Sequence, residues 1–216
     1  YLPSPVDFFK YFIQFMQSGN MGLHITTTLY EIFIGTFWGI IFGMILGYLL
    51  AKNRLLENLF MPLLLIMQIS PKISIAPLFI LWFGLGLTSK IALVILVVSF
   101  PIMVAESSSL KKINTGYMDL MNILQANRWQ IFIRMELPCA FHEVISGSKI
   151  AVTQAITSAV IGEMMGAKAG LGYLLTNGAE MYDLNMILSS IFLLSLLGLL
   201  LYEACQIVEH KVLYWK

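Results

Sequence analysis

The feature that most constrains this chain is a run of twenty consecutive uncharged residues from Ile32 to Ala51. A helix rises 1.5 Å per residue, so this run can cross a hydrocarbon core about 30 Å thick. Residues 184–202 are also uncharged, and residues 91–110 are interrupted only by Glu106. Of the 216 residues 58% are hydrophobic and 12% are charged, about half the charged fraction usual in soluble domains. The sequence predicts an all-α, polytopic membrane protein.

Two further apolar segments are irregular. Charged or proline residues interrupt residues 58–84 (Pro62, Pro71, Lys72, Pro77) and residues 138–162 (His142, Glu143, Lys149). Irregular backbone and charge at membrane depth require surrounding protein or a water-filled cavity. The prediction is one transmembrane domain over residues 1–216, with spans near 24–51, 58–83, 89–110, 138–163 and 184–208 and a long loop at 111–137.

The distribution of basic residues orients these spans. Eight lie on one side (Lys52, Arg54, Lys111, Lys112, Arg128, Arg134, Lys211, Lys216) and three on the other (Lys10, Lys90, Lys168). Because cytoplasmic loops are enriched in Lys and Arg, the loop 111–137 and the C-terminus are predicted to be cytoplasmic. Residues 1–21 then lie outside, and an outside N-terminus predicts one further span upstream.

Small residues recur every fourth position on two of the spans. They are Gly35, Gly39, Gly43 and Gly47 on the first, and Gly147, Ala151, Ala155 and Ala159 on the fourth. Such stripes allow helix backbones to approach closely in lipid. They predict tight packing, either within this chain or between subunits around a pathway.

Several classes of function are excluded or disfavoured. A net charge of +1 without a basic run argues against nucleic acid as a partner. Cys139 and Cys205 form no motif and are predicted to be buried thiols. His142-Glu143 lacks the second histidine of a zinc motif, because Ser146 stands there, so no metal site is predicted. With no phosphate-binding glycine loop either, the chain is predicted to be non-catalytic and to bind no cofactor itself.

The loop 111–137 contains local structure of its own. Thr115 is a plausible N-cap, and Met118, Met121, Leu124 and Gln125 follow at helical spacing, with Asp119 and Asn122 on a neighbouring face. A second apolar set after Asn127 leads to Leu137-Pro138, where proline suits the first turn of the next span. The pattern predicts a folded helix-turn-helix unit at the membrane, with an interfacial helix lying in the lipid headgroups as the alternative.

This loop resembles the "EAA" loop of binding-protein-dependent ABC importer permeases of the MetI-like family. Asp119, Leu120 and Met121 stand for the E-A-A, Gln125 stands for the following Gly, and Met135 precedes a closing Leu137-Pro138. Three other stretches are similar to the nitrate, sulfonate and taurine subfamily: "PKISIAPLFILWFGLGLTSKI", "MMGAKAGLGYLL" and the opening "YLPSPVD". Gln125 departs from the pattern because only glycine adopts positive φ without cost. The turn is therefore expected to move to Asn127, or the docking geometry to change.

The resemblance implies a permease subunit in a bacterial or archaeal cell membrane. Its implied partners are separate ABC ATPase subunits that bind ATP and Mg, a second copy of the permease, an extracytoplasmic solute-binding protein and the lipid bilayer. The ATPase-coupling loop would consist of Asp119, Leu120, Met121, Leu124, Gln125, Asn127, Leu137 and Pro138. The implied cargo is a small, anionic solute such as a sulfonate, taurine or nitrate.

Polar residues within the irregular spans are candidates for the solute pathway: Gln68, Ser70, Lys72, Thr153, Gln154, Thr157 and Ser158. Lys72 either pairs with a neighbouring group or contacts solute. Glu163, at the outer end of the fourth span, is expected to be solvated, with a contact to the binding protein as the alternative. The alternative function is a stand-alone secondary transporter or channel, which broken helices also fit although the two halves show no internal repeat.

Overall fold

The computed structural model describes residues 4–17 and 19–212, and within these ranges it contains helices and no β-strand. Residues 1–3, which begin the "YLPSPVD" stretch, and Lys216 lie outside the described residues. The helices are α1 (Pro5–Gln17), α2 (Met21–Lys52), α3 (Arg54–Ile69), α4 (Lys72–Phe83), α5 (Leu87–Lys111), α6 (Thr115–Ile123), α7 (Arg128–Ile131), α8 (Leu137–Met164), α9 (Leu171–Glu180) and α10 (Leu184–Val212). A π-helical turn, Phe132–Glu136, joins α7 to α8.

Within the described part of the chain, four helical stretches are long and apolar enough to cross a membrane: α2, α5, Arg128–Met164 and α10. A fifth span is possible, because α3 and α4 together pass the same test but meet at a bend of 105°. The helix stops at Ser70, whose ψ of 138° is extended, and Pro71 follows it. Proline disfavours helical geometry in the residue before it, which accounts for the break. The second predicted span is thus two helices, whereas each of the other four lies on one long helix.

Helix α5 lies at the centre of the fold, between α2 and α8. The four glycines of α2 are buried against it, and a Cβ built on Gly39 would lie only 2.7 Å from Cβ of Val98. Ala151, Ala155 and Ala159 of α8 are buried in the same hydrophobic cluster as Val98. Both small-residue stripes therefore pack against α5 within this chain.

Two helices that the sequence reading did not identify, α1 and α9, lie at the predicted outer end. In α1, Phe12 packs edge-on against Phe192 of α10, with ring centroids 5.3 Å apart. The hydroxyl of Tyr11 donates a hydrogen bond of 2.9 Å to Oδ2 of Asp183, in the turn between α9 and α10. Burial, together with this carboxylate, raises the pKa of Tyr11 to about 12.

The prediction of buried thiols is wrong for Cys139, which is exposed, whereas Cys205 is half-buried. Cys139 is the third residue of α8, where the helix emerges from the core beside the loop. An apolar sequence neighbourhood therefore did not imply burial at this helix end.

Candidate functional site

Residues 112–137 form a helix, a turn and a second helical segment, together called the foot. Its first helix, α6, is capped by Asn114, whose side chain accepts a 2.9 Å hydrogen bond from the backbone N–H of Gly116. The predicted cap, Thr115, is instead the first helical residue. None of the residues of α6 is buried, and Leu120 and Ile123 expose most of their side chains. An exposed apolar helix face of this kind is typical of a docking surface.

The turn after α6 has its positive φ at Gln125 (φ 51°), and Asn127 has φ −75°. The expectation that the turn moves to Asn127 is therefore wrong. The backbone N–H of Ala126 donates to the carbonyl of Met121, and that of Gln125 to Asn122, both at 3.0 Å. These two bonds define a Schellman ending, which requires a left-handed residue at this point. Gln125 occupies the position of the glycine in the resembled motif and bears the strain that glycine would avoid.

Asn127 begins the second half of the foot. Its side chain accepts from the backbone N–H of Gln130 at 2.8 Å, and the Gln130 side chain accepts from the Asn127 backbone N–H at 2.9 Å. This reciprocal capping box starts a helical segment that runs through the π-helical turn to Met164 without interruption. Leu137 and Pro138 are the first residues of α8, and because the helical segment continues through them, Pro138 lacks the N–H that would bond to the preceding turn. The foot is thereby joined rigidly to α8.

Glu136 fixes the foot to the end of α2. Its side chain is almost fully buried, forms an ion pair with Lys52 and accepts a hydrogen bond of 3.2 Å from the hydroxyl of Tyr48. The ring of Tyr48 packs edge-on against Phe132, with centroids 5.3 Å apart. The second half of the foot consequently has one covalent connection, to α8, and one packed connection, to α2.

Three of the seven candidate pathway residues come together. Nζ of Lys72 donates to Oε1 of Gln154 at 3.3 Å, and Gln68 lines the same cavity of about 110 Å³. The other four are Ser70, Thr153, Thr157 and Ser158, and the hydroxyl of each bonds to a carbonyl of its own helix. Of these four, only Ser158 is buried. The polar contact between the two irregular spans is thus centred on Lys72 and Gln154.

Two larger clefts continue from this point along α8. The first, of about 450 Å³, is lined by Gln68 and Gln154 at one end and by Glu143 at the other. The second, of about 670 Å³, shares Glu143 and reaches the foot, where its lining includes basic groups: Lys112, Arg134 and His142. Shared lining residues connect these clefts into one track from Lys72 to the foot, with mostly apolar walls and a few polar and charged groups.

A buried polar cluster at the other end of the fold was missed by the sequence reading. Glu163 is fully buried, so the expectation that it is solvated is wrong. Its Oε1 accepts from the hydroxyl of Thr28 at 2.6 Å, and its Oε2 accepts from the backbone N–H of Gly172 at 2.6 Å. Glu31 is also fully buried, with one carboxylate oxygen 3.5 Å from Nζ of the buried Lys90.

This cluster holds the start of α9. The first backbone N–H groups of a helix have no partner within the helix. Here Nδ1 of His24 accepts from the backbone N–H of Gly170 at 3.1 Å, and the hydroxyl of Thr28 accepts from that of Leu171 at 2.9 Å. The next backbone N–H, that of Gly172, donates to Glu163 as described above. Glu31 continues the four-residue spacing of the α2 glycines, and Thr28 and His24 precede it by three and seven residues. All three therefore share the helix face of the glycines, a signal that could have identified them.

The chain matches a known family over residues 39–214, described as the inner membrane component of binding-protein-dependent transport systems. It is 35% identical to the formylaminopyrimidine transport permease of Halalkalibacterium halodurans, over the whole chain and 86% of that protein. It is 34% identical to the riboflavin transport system permease of Chloroflexus aurantiacus, over the whole chain and 80% of that protein. The taurine transport system permease of Escherichia coli is 23% identical, over 94% of this chain and 74% of that one.

A solved structure shares the fold. It shows an inward-facing conformation of the MetNI methionine ABC transporter, with a TM-score of 0.78 and 22% identity over 90% of this chain and 98% of that one.

Fold and relatives together define the class: a multi-pass membrane permease of an ABC importer. The chain belongs to the family of binding-protein-dependent transport system inner membrane components. The resemblance to MetI-like permeases is thereby confirmed, and a taurine permease among the relatives agrees with the subfamily. Members of this family are transport components rather than catalysts, and membership does not favour a stand-alone transporter or channel.

Proposed function

We propose that this chain forms the solute path of an ATP-driven importer and that its foot docks on a separate ATPase subunit. The supporting observation is the foot itself, where Leu120 and Ile123 of α6 and the following Leu124 are exposed beside the charge of Asp119. An amphipathic helix in an apolar groove is a recognised mode of protein docking. ATP and Mg are bound by the ATPase partner, and the chain itself binds no cofactor.

The connections of the foot give it a route to the solute path. A displacement of α6 is carried through the capped turn at Asn127 and the continuous helix into α8, which bears Gln154. Movement of α8 relative to the α3–α4 break would open or close the contact between Gln154 and Lys72. ATP-driven motion of a rigid element is one of the ordinary mechanisms of switching between states.

The complete importer contains further chains. We place a second copy of this permease beside the first, with an ATPase subunit under each foot and a solute-binding protein at the opposite face. The foot and the C-terminus are cytoplasmic, as the eight-to-three distribution of basic residues supports.

The cargo we favour is a small heteroaromatic solute of the aminopyrimidine type. The support is similarity: the permeases for formylaminopyrimidine and riboflavin are 35% and 34% identical, against 23% for the taurine permease. A small anion such as a sulfonate, taurine or nitrate is the second candidate. It is supported by Lys72 on the track and by the basic groups Lys112, Arg134 and His142 where the track meets the foot.

Disruption of the docking face tests the coupling role. The double variant Asp119→Lys, Leu124→Glu should insert normally in the membrane, fail to copurify with the ATPase subunit and lose ATP-dependent uptake. Its matched control is Glu180→Lys, Met181→Glu, which makes the same kinds of change at two exposed residues at the end of α9 and should retain membrane insertion and association with the ATPase subunit. Retained ATPase association and coupled uptake in the Asp119 and Leu124 variant would refute the assignment of the foot.

Competition for uptake tests the cargo. Formylaminopyrimidine in excess should suppress uptake of its labelled form by whole cells that express the full importer, and taurine should not. Lys72→Gln should leave pyrimidine uptake within about twofold of the unaltered level. Suppression by taurine, together with loss of uptake in Lys72→Gln, would favour the anionic cargo instead.

A further inference from the structure

A cavity of about 550 Å³ lies between the last turns of α2 and the second half of the foot. It shares no lining residue with the three cavities of the track from Lys72 to the foot. Its walls are mostly apolar and aromatic: Met44, Ile45, Tyr48, Leu49, Trp129, Phe132 and Leu137. The two remaining lining residues, Glu106 and Arg128, are charged. Its volume is within the range of pockets that hold small organic molecules.

Glu106 is the unusual member of this lining. It is only 4% exposed, and its Oε2 has no hydrogen-bond partner among the described residues. A buried carboxylate without a donor or a cation costs several kcal/mol. Arg128 lines the same cavity but does not hydrogen-bond to that oxygen. The wall of the cavity thus contains a buried carboxylate with one oxygen that lacks a hydrogen-bond donor.

The geometry places this acceptor at the inner end of the cavity. Glu106 precedes the end of α5 at Lys111 by five residues, which at 1.5 Å per residue is about 7 Å along the helix. Arg128 and Trp129, by contrast, are exposed at the start of the second half of the foot. A ligand would enter beside these two residues and reach Glu106 through apolar surroundings.

We propose that this cavity is a binding site for a small primary amine carried on an aromatic or alkyl body. The ammonium group would donate hydrogen bonds to the carboxylate of Glu106, and the apolar body would fill the space between α2 and the foot. The rings of Tyr48, Trp129 and Phe132 add favourable contacts for a cation and for an aromatic body. A neutral ligand without a donor would leave Glu106 unsatisfied, and an anion would be repelled by it.

A matched pair of ligands tests the site. The purified transporter assembly in lipid nanodiscs is titrated by calorimetry with 3-phenylpropylamine and with 3-phenylpropan-1-ol, which differ only in the terminal group. The amine should bind at least about tenfold more tightly than the alcohol. Glu106→Gln should abolish that preference, and Glu203→Gln, a control at an exposed residue of α10, should preserve it. Equal affinity for the two ligands, or a preference that survives in Glu106→Gln, would overturn the proposal.

A second variant locates the binding if Glu106→Gln proves unstable. Ile45 lines the cavity but its side chain is more than half exposed, so Ile45→Trp adds volume to the wall without disturbing the core. It should weaken amine binding at least fivefold. Unchanged saturable binding in Ile45→Trp, or non-saturable uptake that reflects partition into the bilayer, would place the amine elsewhere and refute the site. Uptake assays are not part of this test, so its outcome is independent of the proposed transport function.

Discussion

The close approach of α2 and α5 at Gly43 can be tested by a single added methyl group. A Cβ on Gly43 would lie 2.7 Å from the carbonyl oxygen of Ser99 and 2.8 Å from Cβ of Ile102. Ordinary contacts between such atoms are about 3.5 Å, so Gly43→Ala requires the two helices to separate by several tenths of an ångström. Because the nearest atom belongs to the backbone, no side-chain rotation relieves the contact. Overpacking of this kind costs about 1–3 kcal/mol.

The matched control is Gly198→Ala in the interior of α10, where the added Cβ would meet Cδ1 of Ile156 at an ordinary 3.6 Å. Both substitutions gain about the same helix propensity, up to about 1 kcal/mol, so that contribution cancels in the comparison. The free energy of unfolding, measured by SDS titration in mixed micelles, should therefore be lower for Gly43→Ala than for Gly198→Ala by about 1–3 kcal/mol. Equal values for the two variants would refute the close packing inferred for α2 and α5.

Three further predictions concern residues outside this interface. Glu163→Ala should lower the free energy of local opening of α9 by about 2–4 kcal/mol, because buried donors lose their acceptor, and Glu163→Gln should lower it less. Hydrogen exchange of the α9 amides measures both effects, and unchanged protection would contradict the cluster's role. Gln125→Gly should stabilise the foot by about 1 kcal/mol and Gln125→Val should destabilise it, since only the first relieves the left-handed strain. Proteolysis within residues 112–137 should therefore be slower for Gln125→Gly than for Gln125→Val, and the opposite order of rates would refute the turn geometry. Asp183→Asn should lower the pKa of Tyr11 from about 12 toward the ordinary value of 10, without reaching it because burial remains. Ultraviolet titration, with Tyr11→Phe as the reference that assigns the transition, measures this pKa. A pKa unchanged at about 12 would exclude Asp183 as a cause.

The membrane-spanning helices could be predicted from the sequence because their requirement is physical and local: about twenty apolar residues in a row. The break within the second span could not be located in the same way. Pro62, Pro77 and Pro101 lie inside helices, whereas Pro71 follows the end of one. Proline permits a break at each of these positions, but tertiary packing decides where the chain bends.

The foot illustrates a similar limit. Spacing predicted a helix, a turn and a second helix, and the structure has all three. The first of the two alternatives for the turn, a shift to Asn127, is wrong: the intrinsic preference against positive φ at Gln125 is outweighed by the two hydrogen bonds of the Schellman ending.

The outer polar cluster depends on contacts far apart in the sequence. Glu163 and Thr28 are separated by 135 residues, so the local pattern around Glu163 carries no sign of its partner. A single carboxylate at the end of a span is most simply read as solvated. Only the packing of α2, α8 and α9 together shows that it holds a helix terminus.

The most direct test of the account is uptake by proteoliposomes assembled from purified components. Liposomes that contain this chain and its ATPase subunit, with ATP inside and the solute-binding protein outside, should accumulate labelled solute. Uptake should be lost when ATP, the ATPase subunit or the binding protein is omitted, and when the foot carries Asp119→Lys with Leu124→Glu. Accumulation of solute by the permease chain alone, without nucleotide or a second protein, would contradict the assignment of this chain as the membrane subunit of a coupled importer.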